Sequence, residues 1–136
     1  MRKRTRSREL ALQILYMADV QGAAALDQSE EFFREHGGGD VEVIEYARAL
    51  VHGTWEKRGE IDAILGAAAQ NWQLHRMALV DRNILRLASH ELLYPGDVPA
   101  KVAINEAIEM GKRFSTQQSG SFINGILDRI RRERNL

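Results

Sequence analysis

Apolar positions recur every three or four residues along almost the whole chain, the period of helices that each bury one face. The clearest stretch runs from Val98 to Asp128. There Ala103, Ile104, Ala107, Ile108 and Met110 form one stripe, with Lys101, Asn105, Glu106 and Glu109 falling between them. Phe122, Ile123, Ile126, Leu127 and Ile130 form a second stripe. Pro99 suits the first turn of a helix, and Asp97 before it is placed to accept free backbone donors. Ser115 to Ser121 supplies turn chemistry, so the two stripes are expected to close as a helical hairpin. Gly111 costs about 1 kcal/mol against Ala in a helix interior and marks a close approach of another backbone. Gly125 is given the same role, and Asn124 a bond to backbone or to the facing helix.

The same period places the other helices. Ala11, Ile14, Leu15 and Ala18 line a first helix, which Thr5 or Ser7 is expected to cap and which runs to Val20, before Gly22. Asp27 and Glu30 have capping-box spacing ahead of a short helical segment anchored by Phe32 and Phe33. The Gly37 to Gly39 run reads as a flexible connector. Val43, Ile44, Ala47, Leu50, Val51 and Trp55 describe a third helix from Asp40, and Ile61, Ile64, Leu65, Ala68, Ala69 and Trp72 a fourth. A long fifth helix spans Met77 to Tyr94 and stops at Pro95-Gly96. No segment alternates as a strand does. The fold class is therefore all-α, with about seven helices including a short one.

Composition narrows the function. A chain of 136 residues has room for one core and too little for two of ordinary size. No cysteine is present, so a disulfide framework and a thiolate zinc site are excluded. With no signal-type apolar segment and no apolar run of about 18 residues, a cytoplasmic protein is expected. His36, His52, His75 and His90 form no HxxxH or HExxH pair, and there is no GxSxG elbow around Ser89. Glu106 with Glu109 has the spacing of a solvated helix face. No catalytic residue, metal site or cofactor is expected.

Charge is segregated beneath a net value of zero. Residues 1–8 carry Arg2, Lys3, Arg4, Arg6 and Arg8 with no acid, and residues 129–134 carry four arginines against Glu133. Residues 9–128 hold ten Lys and Arg against eighteen Asp and Glu, a net charge of −8. Basic ends on an acidic body suit a polyanion partner; a solvated tail is the alternative. Tyr16 lies on the flank of the first helix beside the arginines, where it is either a stacking platform for an unpaired base or a core-edge tyrosine. Lys112, Arg113, Phe114, Gln118, Ser119 and Phe122 likewise gather cations, amides, hydroxyls and aromatics in one hairpin. The two phenylalanines are alternatively apolar plugs that hold it closed.

VPAKVAINEAIE (98–109), KRF (112–114), a polar turn with Ser119, and FINGILD (122–128) together resemble the signature of the NusB family of bacterial transcription antitermination factors. The resemblance continues through VDRNILRLASHELLY (80–94) and RSRELALQILYMADVQG (6–22). It implies one RNA-binding domain over residues 1–136, built as two fused three-helix-type subdomains, about 1–72 and 73–136. It further implies binding of single-stranded boxA RNA from ribosomal RNA leaders together with the ribosomal protein NusE, in an assembly with NusA, NusG and RNA polymerase. The RNA-facing set would be Arg2, Lys3, Arg4, Arg6, Arg8 and Tyr16, with Lys112, Arg113, Phe114, Gln118, Ser119 and Phe122 from the hairpin. Asp81, Arg82 and Arg86, on a polar strip of the fifth helix, are assigned to NusE. The turn STQQ (115–118) departs from the acidic turn associated with many members. Two alternatives stand beside this: a helical module that only dimerises, and an RNA-binding domain like that of ribosomal RNA cytosine methyltransferases. The chain is expected as monomer or homodimer.

Overall fold

A computed structural model describes residues 2–70, 72–94 and 96–136. Seven α-helices follow in order: α1 (Lys3–Gln21), α2 (Ser29–His36), α3 (Val41–Glu56), α4 (Arg58–Ala68), α5 (Leu79–Leu93), α6 (Ala100–Phe114) and α7 (Ser119–Glu133). Short 3₁₀ turns, Ala23–Gln28 and Leu74–Arg76, join α1 to α2 and α4 to α5. No strand occurs among the described residues.

The apolar stripes meet in one contiguous core. Leu10, Ile14 and Leu15 of α1 pack with Leu50 and Val51 of α3, Ile61 and Leu65 of α4, Ile84, Leu85 and Leu87 of α5, and Ile123, Leu127 and Ile130 of α7. Each such side chain contributes about 1.5–3 kcal/mol when fully buried. Helix α5 lies at the centre, against α1, α3, α4, α6 and α7. That position decides the fate of its polar residues, since a helix touched on most sides has little face left for water.

Helix boundaries depart from the expectations where a polar side chain has a partner distant in sequence. Helix α1 starts at Lys3, and neither Thr5 nor Ser7 caps it. Thr5 donates instead to Glu106 at 2.5 Å, and Ser7 to the Val43 carbonyl at 2.8 Å. Asp97 does not cap α6, whose N-cap is Pro99; its carboxylate takes both terminal nitrogens of Arg4, at 2.8 and 3.2 Å. The Asp27–Glu30 capping box does not form, because α2 opens at Ser29 and Glu30 pairs with Arg48 at 2.6 Å. Asp40 does cap α3, accepting from the backbone N–H of Glu42 at 3.0 Å. Helix α4 stops at Ala68, so Trp72 falls outside it. The expected stop at Pro95 lies outside the described residues.

The glycines sort by what stands opposite. Gly111 fulfils the close-approach reading, since a Cβ there would lie 2.7 Å from Ile123 Cδ1 across the α6–α7 seam. Gly125 does not: it is exposed and faces open space, as Asn124 beside it is exposed. Gly37, expected in a flexible connector, is buried in a hydrogen-bonded turn, its N–H on the Phe33 carbonyl at 2.7 Å. A Cβ at Gly37 would meet that carbonyl oxygen at 2.5 Å and Ile44 Cγ1 at 2.6 Å. Gly37→Ala is accordingly expected to cost about 1–3 kcal/mol, the usual penalty of overpacking. Urea unfolding followed by circular dichroism measures it, and an unchanged midpoint would show that the α2–α3 turn is loose.

Candidate nucleic-acid interface

Helices α1 and α6 face each other across an open seam that long side chains bridge. At its start the seam is polar. An opening of about 650 Å³ is lined by Arg2, Thr5, Val102, Asn105, Glu106 and Arg113. Farther along it becomes apolar, and a second opening of about 510 Å³ is lined by Glu9, Leu12, Gln13, Tyr16, Met17, Val80 and Phe114. The two halves join where Arg113 of α6 donates to Glu9 of α1 at 2.6 Å. Over the 15 residues of α6 a helix extends about 22 Å, room for several nucleotides in a row.

Each half has its own chemistry. Arg2 is exposed at the polar end, where a guanidinium can hold a phosphate through paired N–H donors. At the apolar end Tyr16 keeps 38% of its surface exposed and Phe114 41%. Phe114 is therefore no plug in the hairpin core. The Arg113 guanidinium stands 5.2 Å from its ring centroid, so cation and aromatic face present a joint surface to a base and its phosphate. Tyr16, Phe114, Arg2 and Arg113 are brought together along one seam. Lys112, the residue before Arg113, is exposed 3.7 Å from Glu109, and Gln118 is exposed in the α6–α7 turn.

The remaining basic residues of the arm are engaged within the chain. Lys3 pairs with Asp40 and Glu42 at 3.4 and 3.3 Å. Arg4 lies 4.3 Å over the Tyr46 ring while it holds Asp97, and Asp97 is kept below the usual carboxylate range by that hydrogen bond. Arg6 donates to the His36 carbonyl at 2.6 Å, on the α2 side.

Arg8 is the main correction. It is 2% exposed, with Nε and Nη2 on Glu91 at 2.8 and 3.0 Å and Nη1 on Glu106 at 3.2 Å. Tyr46 adds a hydroxyl to the same Glu91. Burial alone would lower the pKa of Arg8, but hydrogen bonding and attraction to Glu91 raise it on balance. Burial, then Glu91, pushes the Tyr46 phenol upward. A guanidinium this deeply buried and held by two carboxylates is not open to a nucleic acid.

Ser119 is a second correction, 2% exposed, its hydroxyl accepting from the Thr116 N–H and donating to Asp81, each at 3.2 Å. Phe122 is half-buried and meets Trp72 edge-on, centroids 5.5 Å apart. A third correction concerns Asp81, Arg82 and Arg86, which do not form an exposed strip. Arg86 grips Asp62 through two 2.8 Å bonds and reaches Asp19 at 3.1 Å. Arg82 pairs with Asp19 at 2.8 Å, and Asp81 is buried. Burial would raise Asp19, but hydrogen bonds from Asn83 and Arg82 hold it below the usual range.

Three residues that matter here went unassigned from sequence. Trp72, 56% exposed, was placed in an apolar stripe by its spacing alone. Glu9 is the first acid after the basic run, and Asp19 sits one position beyond the stripe residue Ala18. Nothing local marks either as a partner of an arginine. Among the described residues, no three His, Asp or Glu side chains gather to hold a metal ion, and no helix is long and apolar enough to cross a membrane.

Comparison with known proteins agrees with this architecture. The model of the NusB family matches residues 5–132. A transcription antitermination protein NusB from Anaeromyxobacter dehalogenans is 47% identical over 128 residues, covering 94% of this chain and 89% of that protein. The Myxococcus xanthus protein of the same name is 44% identical, with 93% of each chain covered. Among solved structures, T. maritima NusB superposes with a TM-score of 0.82 at 38% identity, over 96% of this chain and 91% of that one. The crystal structure of antitermination factors NusB and NusE in complex with dsRNA superposes with a TM-score of 0.88 at 27% identity, over 98% of both chains. Matched along nearly its full length in sequence and in fold, the chain belongs to the NusB family of transcription antitermination proteins.

Proposed function

We propose that this protein binds the single-stranded boxA element of ribosomal RNA leaders together with NusE, and so supports processive transcription of ribosomal RNA operons by RNA polymerase with NusA and NusG. It acts in the cytoplasm by assembly, as an adaptor without chemistry of its own. The observation that carries the reading is the α1–α6 seam. Two cations, Arg2 and Arg113, line one opening and two exposed rings, Tyr16 and Phe114, line the next, an arrangement that suits phosphates and unpaired bases. A structural neighbour, NusB with NusE in complex with dsRNA, supports NusE and RNA as the classes of partner. NusE would dock beside the exposed Trp72 corner and α5, with the ion-paired Arg82 and Arg86 and the buried Asp81 holding that surface in place.

Fluorescence anisotropy with a boxA-like RNA and a scrambled control, at several salt concentrations, with and without NusE, tests this. The boxA-like RNA is expected to bind more tightly than the scramble, and NusE to tighten it further. With Arg2, Lys112 and Arg113 as the cations reaching phosphate, log K should fall against log salt with a slope of about −2. Equal binding of both RNAs, indifferent to NusE, would reduce the seam to a polyanion attractor.

A further inference from the structure

Glu9 is out of place in a groove for a polyanion. It is 5% exposed, yet it lines the aromatic half of the seam with Tyr16 and Phe114. Its Oε2 accepts from Arg113 at 2.6 Å. Its Oε1 accepts no hydrogen bond among the described residues, with Arg6 3.9 Å away. An ionised carboxylate offers about four acceptor sites and no donor. Lining an open groove, Oε1 is within reach of a donor brought by a ligand. Phosphate cannot supply one, and it would be repelled.

We propose that Glu9 is a base-reading residue, whose free carboxylate oxygen accepts from the Watson–Crick edge of a guanine held against Tyr16 and Phe114. This rests on the RNA-binding reading above and adds a specificity to it. Unpaired bases splayed onto aromatic side chains are read along that edge. Guanine presents a ring N–H and an exocyclic amino group side by side, which match the two oxygens of a carboxylate; Oε2 keeps a second lone pair while it serves Arg113. Uracil flanks its single ring N–H with two carbonyls that face the carboxylate unfavourably. Adenine and cytosine pair their amino group with a ring nitrogen that is itself an acceptor. Inosine keeps guanine's ring N–H and lacks the amino group, so it should fall between guanine and uracil.

The test uses the full chain and short oligouridines carrying one central guanosine, inosine, adenosine or uridine, read by fluorescence anisotropy. The wild-type protein is expected to bind the guanosine oligomer about tenfold more tightly than the all-uridine one, with inosine intermediate. In Glu9→Gln the guanosine preference should shrink to about twofold or less. Equal binding of all four oligomers by the wild type overturns the inference while RNA binding stands. Uniform weakening of all four in Glu9→Gln also overturns it, since that result makes Glu9 a positioning residue for Arg113. If the wild type binds none of them, the RNA-binding reading itself fails. The guanosine-to-inosine comparison is made on the wild type, so it holds even if Glu9→Gln folds poorly.

Discussion

Arg8→Ala is expected to lower the free energy of unfolding by about 3–5 kcal/mol, a large share of the stability of a domain this size. The substitution strands Glu91, which is 5% exposed and loses both of its guanidinium hydrogen bonds. Only the Tyr46 hydroxyl would remain to it. Glu106, less buried, would keep Thr5. The cost comes from the carboxylate left behind, so changing Arg8 to Met and Glu91 to Leu together should recover much of the loss. Urea unfolding of the single and double variants measures this, and a loss under about 1 kcal/mol for Arg8→Ala would contradict it. Affinity for RNA, measured where the variant is still folded, should change little, because Arg8 is buried beneath the seam against Glu91 and Glu106.

Tyr16→Ala should show the opposite pattern. Stacking of a base on an aromatic side chain is worth about 1–3 kcal/mol, so RNA affinity is expected to fall by about 5- to 150-fold. Tyr16→Phe should bind as the wild type does, because the contribution belongs to the ring and the Tyr16 hydroxyl makes no hydrogen bond among the described residues. Anisotropy titrations at fixed salt read both variants. The slope of log K against log salt should stay the same in Tyr16→Ala, since no phosphate contact is removed. Wild-type affinity in Tyr16→Ala would return Tyr16 to the role of a core-edge tyrosine, whereas a changed slope would mean that the arginines had moved.

These two residues show how legibility differs along one helix. Tyr16 was found on the flank of the α1 stripe by period alone, and the structure leaves it exposed there. Arg8 belonged to the same basic run as Arg2 and shared its reading, yet one is buried and the other open. The difference lies in Glu91, 83 positions away, which no window of local sequence can connect to it. The α5 polar residues repeat the lesson. Their spacing described a polar strip, but with α5 at the centre of the bundle that strip faces Asp19 of α1 and Asp62 of α4, so the side chains satisfy one another inside. Thr5, Asp97 and Glu30 failed as caps for the same reason, each being taken by a partner on another helix.

What sequence by itself determined was the set of helices, the apolar faces that make the core, the turns between them, and the basic character of the first segment. All of these follow from interactions within a few residues, which a period or a turn signal records. Which charges remain open to a partner, and that Glu9 stands among the aromatics of the seam, were decided by the tertiary structure. A charge near a folded core goes to whichever opposite charge the packing brings within about 3 Å, because leaving it unpaired there costs more than any local preference returns.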